Sequence, residues 1–322
     1  MTLKTLASKV LLTVVVIAGL AGCVGYRATQ REAASETAYP PSGQFVTVNG
    51  TKVHYETKGA GPDLILIHGA LGNLRDMTFG LRDQLSDRYR VTVFDRPGFG
   101  YSDMLPNGDA SLLGQALLLQ GAAKDIGLTN PIVMGHSYGG AVAISWALHP
   151  DILPPAALVL VSAPTLPWPG KLDPLYRVTG SQVGGALIVP LITAFVTDDY
   201  LTKSIVGIFK PNPVPAGYQA FIGSGLTLRR DSLRANGKQV NTLRDQLVVM
   251  EKSYHNLRLP IELVHGDADT SVPLSVHALP LSKMLPNAVL TIVPGAGHMP
   301  HHSNPDMIVA AIDRAAARAH LP

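Results

Sequence analysis

Three short segments of the chain carry residue types that could together form a nucleophilic catalytic site. Residues 135–139 read Gly-His-Ser-Tyr-Gly and match the pattern G-x-S-x-G, residues 265–269 read His-Gly-Asp-Ala-Asp, and residues 295–298 read Gly-Ala-Gly-His. A serine hydroxyl becomes a nucleophile when a neutral imidazole takes its proton and a carboxylate orients that imidazole and stabilises its charged form. The three segments therefore predict acyl-transfer chemistry if the fold brings them together.

The serine motif stands in the sequence context that a nucleophile elbow requires. It directly follows a short apolar run at residues 132–134 and precedes a helical segment of small residues at 141–148. A nucleophile on a sharp turn between a strand and a helix needs glycine neighbours because there is little room for Cβ atoms. The N-terminus of the helix then offers backbone N–H groups and positive potential to an oxyanion. Ser137 is the predicted nucleophile, in preference to an incidental serine in a glycine-rich turn.

The acid and the base follow later strands of the same predicted sheet. Apolar runs at residues 261–264 and 289–293 precede the segments that contain the two aspartates and His298. Because the carboxyl ends of parallel strands lie at one edge of a sheet, the serine, a carboxylate and His298 can meet there. The residues alone leave Asp267 and Asp269 both open as the acid.

The elements that position these residues alternate between strands and helices. Residues 44–48 and 52–57 flank Asn49-Gly50, a strong signal for a two-residue hairpin turn. Further strands are predicted at residues 64–67, 89–94, 132–134, 157–161, 261–264 and 289–293, and helices at 74–85, 112–126, 141–148 and 307–319. This order predicts an α/β fold with a mainly parallel eight-stranded sheet and helices on both faces.

Residues 164–260 interrupt that alternation. The stretch mixes proline-rich turns with helical segments at 199–209 and 232–251. A structureless loop of this length inside a compact domain would be exceptional. We therefore predict an inserted helical cap at 164–260, with the core formed by residues 44–163 and 261–322.

The N-terminus has the pattern of an export signal. Lys4 and Lys9 precede an apolar stretch at residues 10–22, which is shorter than the roughly 20 residues of a spanning helix and within the range of a signal-peptide core. Residues 20–23 read Leu-Ala-Gly-Cys and resemble the lipobox of bacterial lipoproteins, in which the cysteine is lipidated after cleavage just before it. We predict a signal at 1–22, lipidation of Cys23 and a polar tether at 23–43.

The predicted signal and lipidation site place the catalytic domain outside the cytoplasm, anchored to a membrane of a bacterial cell envelope. The alternatives are an uncleaved signal anchor, in which Cys23 is a passive small residue, and ordinary secretory cleavage. Cys23 is the only cysteine of the chain. A disulfide within one chain is therefore excluded, and the exported domain has to be stable without one.

Charge and motif content exclude several other classes of function. Lys4 and Lys9 account for two of the 26 basic residues, so residues 23–322 carry 24 lysines and arginines against 23 acids. That balance indicates no nucleic-acid partner. The chain has no Walker loop, Rossmann fingerprint or zinc-finger spacing, so no cofactor is implied. We also expect no metal site at His298, His301 and His302, since the last two are adjacent and cannot easily face one ion.

From about residue 44 to the C-terminus, the chain resembles the α/β-hydrolase superfamily. It is most similar to the capped branch that contains small esterases, haloperoxidase-like perhydrolases, epoxide hydrolases and haloalkane dehalogenases. The resemblance rests on five motifs in order, namely His-Gly at 68–69, Asp-Arg-Pro-Gly-Phe-Gly-Tyr-Ser at 95–102, the elbow at 135–139, Gly-Asp-Ala-Asp at 266–269 and Gly-His at 297–298.

The resemblance implies a role for individual residues. It implies a catalytic triad of Ser137, Asp269 and His298, with Asp267 as the weaker alternative for the acid, and an oxyanion hole made by the backbone N–H groups of Ala70 and Tyr138. His68 is expected to hold the oxyanion loop, His136 to pack near the elbow, and residues 96–102 to brace a loop. Family caps line a substrate pocket, and the cap aromatics that could do so, or could merely pack the cap on the core, are Trp168, Tyr176, Phe195, Phe209, Tyr218 and Phe221.

Departures from the related subfamilies narrow the expected chemistry. Epoxide hydrolases and haloalkane dehalogenases have aspartate where this chain has Ser137, and carbon–carbon hydrolases commonly have asparagine where it has His136. Hydrolysis of a small carboxylic ester with an apolar group, through an acyl-enzyme, is therefore the leading expectation. Perhydrolysis, amide hydrolysis and acyl transfer use the same triad and stay open, as does a non-catalytic receptor or scaffold.

Overall fold

The structure, a computed structural model, describes residues 3–322, so the first two residues of the predicted signal segment lie outside the described residues. Eight strands form one sheet in the order β1-β2-β4-β3-β5-β6-β7-β8. The strands are β1 (Gln44–Val48), β2 (Thr51–Lys58), β3 (Asp63–Ile67), β4 (Arg90–Phe94), β5 (Ile132–His136), β6 (Ala157–Val161), β7 (Ile261–Gly266) and β8 (Ala288–Val293).

The sheet is parallel except at β2. This strand pairs antiparallel with both β1 and β4, and every other pair of neighbours is parallel. The antiparallel start follows from the hairpin turn, because Asn49 and Gly50 both adopt positive φ, as a type I′ turn requires. The predicted eight-stranded, mainly parallel sheet is confirmed.

Helices cover both faces of the sheet, as its composition demands. Every residue of β3, β5, β6 and β7 is buried, so both faces of these strands need a cover. The helices are α1 (Leu3–Ala38), α2 (Leu74–Thr78), α3 (Leu81–Leu85), α4 (Leu112–Asp125), α5 (Tyr138–Leu148), α6 (Pro174–Gly180), α7 (Gln182–Phe195), α8 (Asp198–Phe209), α9 (Tyr218–Phe221), α10 (Ser224–Thr227), α11 (Arg230–Met250), α12 (Ala278–Met284), α13 (Pro300–Ser303) and α14 (Pro305–Arg318). One hydrophobic core lies under α4, α5 and α12, and a second lies under α2, α3 and α14.

One predicted helix is wrong in its extent. Residues 74–85 do not form a single helix but the two short helices α2 and α3. Gly80 between them has φ +85, a backbone conformation that glycine adopts readily and that cannot continue a helix. The apolar spacing identified the buried face correctly, since Leu74, Met77, Leu81 and Leu85 all lie in the core.

The segment between β6 and β7 is the region predicted as a cap. All of its regular structure is helical, comprising α6 to α11 and a short 3₁₀ turn at Glu251–Asn256. The longest of these helices, α11, packs against α6 and α7. These helices cover the edge of the sheet at which the catalytic candidates lie.

The N-terminal helix α1 runs through both the predicted signal and most of the predicted tether. By length and composition it could cross a membrane, and its large apolar residues at positions 11, 12, 14–17 and 20 are exposed. Its C-terminal half instead lies on the cap, where Arg27 Nε donates to the Ala194 carbonyl at 2.8 Å and Glu32 pairs with Arg230 at 2.6 Å. Residues 23–38 are therefore a helix fastened to the cap, and Cys23 is exposed where that contact begins.

Candidate active site

Ser137 lies on a sharp turn between β5 and α5. It is the single residue between the end of β5 at His136 and the start of α5 at Tyr138. Its φ is +50°, which is rare for a residue other than glycine. The flanking glycines are required by space. A Cβ on Gly135 would lie 2.2 Å from the Gly139 carbonyl oxygen, and one on Gly139 would lie 2.3 Å from the Ile67 carbonyl oxygen. The motif thus positions the serine by excluding side chains around it.

The structure brings Ser137, His298 and Asp269 together in one hydrogen-bonded chain. His298 Nε2 lies 3.0 Å from Ser137 Oγ, and His298 Nδ1 lies 2.8 Å from Asp269 Oδ2. The other carboxylate oxygen, Oδ1, accepts the backbone N–H groups of Ser271 and Val272, each at 2.9 Å. Because the carboxylate can only accept, Nδ1 carries the imidazole proton and Nε2 is free to receive the serine proton.

Asp269, the acid of this hydrogen-bonded triad, is held in its ionised form. Burial alone would raise the pKa of the Asp269 carboxyl, but hydrogen bonds from His265, His298 and the Val272 amide outweigh it and hold that pKa well below its usual range. Asp267, the alternative, is exposed and accepts the Gly295 N–H at 2.7 Å. It shapes a loop and does not contact the imidazole.

The predicted oxyanion loop lies directly on the nucleophile. A Cβ on Gly69 would lie 3.0 Å from Ser137 Cβ, so this backbone approaches the serine as closely as a glycine permits. Ala70 and Tyr138, whose N–H groups are the predicted oxyanion donors, line the same cavity as Ser137.

A buried arginine braces this loop. Arg96 Nε and Nη2 donate to the carbonyls of His68 and Gly69, and Nη1 donates to the side chains of Gln115 and Gln239. His68 in turn accepts the Arg96 backbone N–H at Nε2 and donates from Nδ1 to the Gly69 carbonyl. Burial, with the nearby guanidinium, lowers the pKa of His68 to about 4, so the ring is neutral as these bonds require. Because Gln239 belongs to α11, the same guanidinium ties the oxyanion loop to the cap.

Replacing Arg96 with alanine is expected to lower the free energy of unfolding by about 3–5 kcal/mol. The change removes the donor to the His68 carbonyl and to two glutamine side-chain oxygens, and each unsatisfied buried group costs about 1–3 kcal/mol before relaxation. The free energy of unfolding of Arg96→Lys should lie between those of the wild type and Arg96→Ala, because a compact ammonium can replace only some of the guanidinium's hydrogen bonds. Denaturant unfolding measures the effect, with Arg88→Ala as the control because its ion pair with Asp313 is exposed and contributes less than about 1 kcal/mol. If Arg96→Ala lost no more free energy of unfolding than Arg88→Ala, Arg96 would not stabilise the oxyanion loop.

The triad opens into a large cavity between the core and the cap. The cavity has a volume of about 760 Å³ and is lined by Ser137 and His298 on one side. Three of the predicted cap aromatics, Trp168, Tyr176 and Tyr218, line it on the other. Its remaining walls are mainly aliphatic, including Leu201, Ile205, Ile208, Ile222, Val240 and Leu243.

The other three cap aromatics lie elsewhere. Phe209 is buried against Tyr218, with ring centroids 5.0 Å apart, and so supports the cavity wall from behind. Phe195 is exposed and lies under the Arg27 guanidinium of α1. Phe221 does not line the cavity and packs against Phe79, which follows α2. Periodicity in the sequence could not separate these two groups, because both are apolar positions of helices.

Beside the triad lies a group of residues that the sequence did not predict. The Asp76 carboxylate accepts the Tyr218 hydroxyl and His302 Nε2, each at 2.8 Å, and lies 3.4 Å from His301 Nε2. His136 Nε2 donates to the His298 carbonyl at 2.9 Å, as a neighbour of the elbow should. The expectation that His301 and His302 cannot face one ligand position is wrong, because in the short helix α13 both rings turn toward Asp76. No motif marks Asp76, so only the fold reveals this group.

Comparison with known proteins gives three kinds of match. A family model described as the alpha/beta hydrolase family matches residues 64–311. An uncharacterised protein of Mycobacterium tuberculosis is 28% identical over 85% of this chain and 81% of its own length, and a pimeloyl-[acyl-carrier protein] methyl ester esterase of Chromobacterium violaceum is 28% identical over 80% and 95%. Among solved structures, an alpha/beta hydrolase fold protein of Burkholderia ambifaria has a TM-score of 0.67 and 24% identity, with 84% of this chain and 96% of that chain covered.

Proposed function

Because the chain belongs to the alpha/beta hydrolase family, we propose that it is a serine hydrolase that cleaves carboxylic esters through an acyl-enzyme on Ser137. The observation that carries the proposal is the unbroken hydrogen-bond chain from Ser137 Oγ through His298 to Asp269, at the wall of a cavity. The esterase among the relatives supports the same class of reaction.

The reaction follows from the protonation state of the triad. His298 Nε2 takes the hydroxyl proton as Ser137 Oγ attacks the ester carbonyl carbon, and the backbone N–H groups of Ala70 and Tyr138 receive the resulting oxyanion. The imidazolium, stabilised by Asp269, then protonates the departing alcohol, which leaves an acyl group on Oγ. Water deprotonated by His298 attacks this acyl-enzyme, and the acid departs as the hydroxyl of Ser137 is restored.

The cavity walls favour an apolar acyl group in the substrate. Aliphatic and aromatic side chains of the cap line the side opposite Ser137. Each methylene added to the acyl chain of the substrate can therefore move out of water and pack against this wall. Burial of one methylene contributes about 0.8 kcal/mol, or roughly fourfold in kcat/KM while the chain still fits. With p-nitrophenyl esters, we expect kcat/KM to rise from acetate toward butyrate and hexanoate. A preference for acetate alone would contradict an apolar acyl site.

Labelling with a fluorophosphonate tests the proposed reaction directly. The serine of an active triad displaces fluoride and retains the phosphonyl group, so the intact mass of the protein should increase by one adduct. Peptide mapping is expected to locate that adduct on Ser137. Heat-denatured protein is the control, since an unfolded serine has no activating imidazole and should stay unlabelled. A folded protein that takes no label would overturn the enzymatic proposal and favour a non-catalytic receptor or scaffold.

We also propose that α1 anchors the enzyme to a bacterial envelope membrane, with the hydrolase domain outside the cytoplasm. Support comes from the exposed apolar residues of α1 and from the lipobox-like sequence that ends at Cys23. The residues that fasten α1 to the cap, such as Arg27 and Glu32, all follow Cys23, so cleavage before it would leave the contact intact.

Mass spectrometry of protein extracted from membranes tests the form of the anchor. A lipoprotein should begin at Cys23 and carry acyl mass on it, and Cys23→Ala should remain uncleaved. Cys23→Ser serves as the matched variant because it conserves size while removing the thiol. An intact N-terminus in the wild type would contradict lipidation and indicate an uncleaved signal anchor.

A further inference from the structure

Asp76, His301 and His302 form a compact group of donor atoms next to, but outside, the catalytic triad. Each residue offers one ligand atom, and the three atoms all lie within 4.8 Å of one another. Asp76 comes from α2, and the two histidines come from α13, which begins two residues after His298. None of the three hydrogen-bonds to Ser137, Asp269 or His298, so the group lies outside the triad.

The distances within the group match the spacing of ligands around one metal ion. Nitrogen and oxygen ligands lie about 2.0–2.1 Å from Zn²⁺ and similar ions, so two ligands are about 2.9 Å apart at a right angle and about 3.3 Å apart at the tetrahedral angle. His302 Nε2 lies 2.8 Å from Asp76 Oδ1, and His301 Nε2 lies 3.4 Å from Asp76 Oδ2. Two imidazoles and one carboxylate are also a ligand set that divalent first-row transition metals take in proteins.

The electrostatics of the group call for a cation. The Asp76 carboxylate is buried, and within residues 3–322 its charge partners are histidines alone, with no lysine or arginine. A buried carboxylate is costly unless a positive charge is paired with it, and a bound metal cation would supply that charge.

His301 supplies an independent sign of a missing ligand. Its side chain is 0% exposed, and neither Nδ1 nor Nε2 has a hydrogen-bond partner in the described part of the chain. Buried polar atoms are nearly always satisfied, so an orphaned imidazole that is aimed at a carboxylate needs an explanation. A metal ion between Nε2 and Asp76 provides one.

The rings are held in place and an ion can reach them. The His301 ring lies between those of His136 and His302, tilted to both, with ring centroids 4.2 Å and 4.1 Å away, and His302 also lies against Phe209. Asp76 lines the substrate cavity together with Tyr218 and Met299. The cavity therefore connects the carboxylate to the outside without any unfolding.

We propose that Asp76, His301 and His302 bind one divalent first-row transition-metal ion through a carboxylate oxygen and the two Nε2 atoms. In the metal-bound state both imidazoles carry their proton on Nδ1, so the Nε2–H that His302 donates to Asp76 gives way to the ion. The bound ion joins α2 to α13 and, through the hydroxyl of Tyr218 on Asp76, lies against the cap. It acts as a clamp beside the loop that carries His298, and its binding does not depend on hydrolysis.

Metal titration of the full chain in detergent tests the proposal. After removal of metals with a chelator, calorimetry with Zn²⁺ is expected to give one ion per chain with micromolar or tighter affinity. At a hundredfold excess over Kd, Zn²⁺ should raise Tm by about 5 °C. Asp76→Asn and His302→Gln are each expected to weaken binding at least tenfold.

Two control variants show where the ion binds. His255→Ala removes an exposed histidine, and His298→Ala removes the imidazole of the triad, and neither should change Zn²⁺ affinity. Loss of binding in His298→Ala would place the ion on the triad and overturn the proposal. So would an absence of binding to the wild type, or unchanged affinity in both Asp76→Asn and His302→Gln.

X-ray absorption of the zinc-loaded wild type keeps the test independent of variants that fail to fold. The expected spectrum fits two imidazole ligands together with oxygen ligands. Fewer than two imidazoles would overturn the assignment. Sulfur at the metal would do so as well, because it would indicate Cys23 or a methionine.

Discussion

Replacing Ser137 with alanine is expected to lower kcat for ester hydrolysis by about 10⁶-fold. The variant lacks the atom that forms the acyl-enzyme, and His298 is left without a proton to take. The effect should approach that of removing the whole triad, because the three residues act as one unit and losing the nucleophile makes the other two ineffective. Any residual rate would come from substrate binding and the oxyanion donors alone. Steady-state kinetics with a p-nitrophenyl ester, at enzyme concentrations high enough to detect such a rate, measure the loss.

Ser162 offers a matched control for this substitution. It follows β6, the strand next to β5, and its φ of +45 closely resembles that of Ser137. Its hydroxyl is buried with no hydrogen-bond partner in the described residues, so Ser162→Ala removes a serine from a similar turn without removing a contact. We expect its kcat to stay within about twofold of the wild type. A Ser137→Ala enzyme that kept more than about 1% of wild-type kcat would refute the assigned nucleophile.

The core and the triad candidates could be predicted because their sequence signals are local. Buried parallel strands are continuous apolar runs, and each chemical motif directly follows one of them. The glycines around Ser137 are needed because a Cβ would collide with backbone within about 2–3 Å, a constraint that sequence spacing expresses directly. Asp269 and Asp267 were harder to separate, because only the turn after β7 decides which carboxylate faces His298.

What could not be predicted depends on contacts between distant segments. Residues 23–38 are polar and suit a free tether, but Glu32 pairs with Arg230, 198 positions away, and thereby fastens the helix to the cap. Asp76 lies in a five-residue helix, and nothing near it in the sequence indicates that the cap and α13 will bring Tyr218 and His302 to it. Polarity of a residue shows that it needs a partner, and the fold alone shows which partner it finds.

Replacing Asp269 with asparagine is expected to lower kcat by about 10⁴-fold while leaving the fold intact. The reason lies in the two oxygens of the carboxylate. Oδ1 accepts the N–H groups of Ser271 and Val272, so an asparagine would keep its oxygen there and turn its NH₂ group toward His298. His298 Nδ1 would then have to accept a hydrogen bond, which moves the imidazole proton to Nε2. In that tautomer, Nε2 cannot take the proton of Ser137.

The matched variant Asp267→Asn separates this effect from a general change of charge in the loop. Asp267 is exposed, and its Oδ1 accepts only the Gly295 N–H, a bond that the asparagine oxygen can also accept. We expect kcat of Asp267→Asn to stay within about twofold of the wild type, since exposed substitutions away from the site change little. Kinetics of the two variants with one ester substrate decide between them. If Asp267→Asn lost the larger share of kcat, the acid would be Asp267, and the hydrogen bond from His298 to Asp269 would have only a structural role.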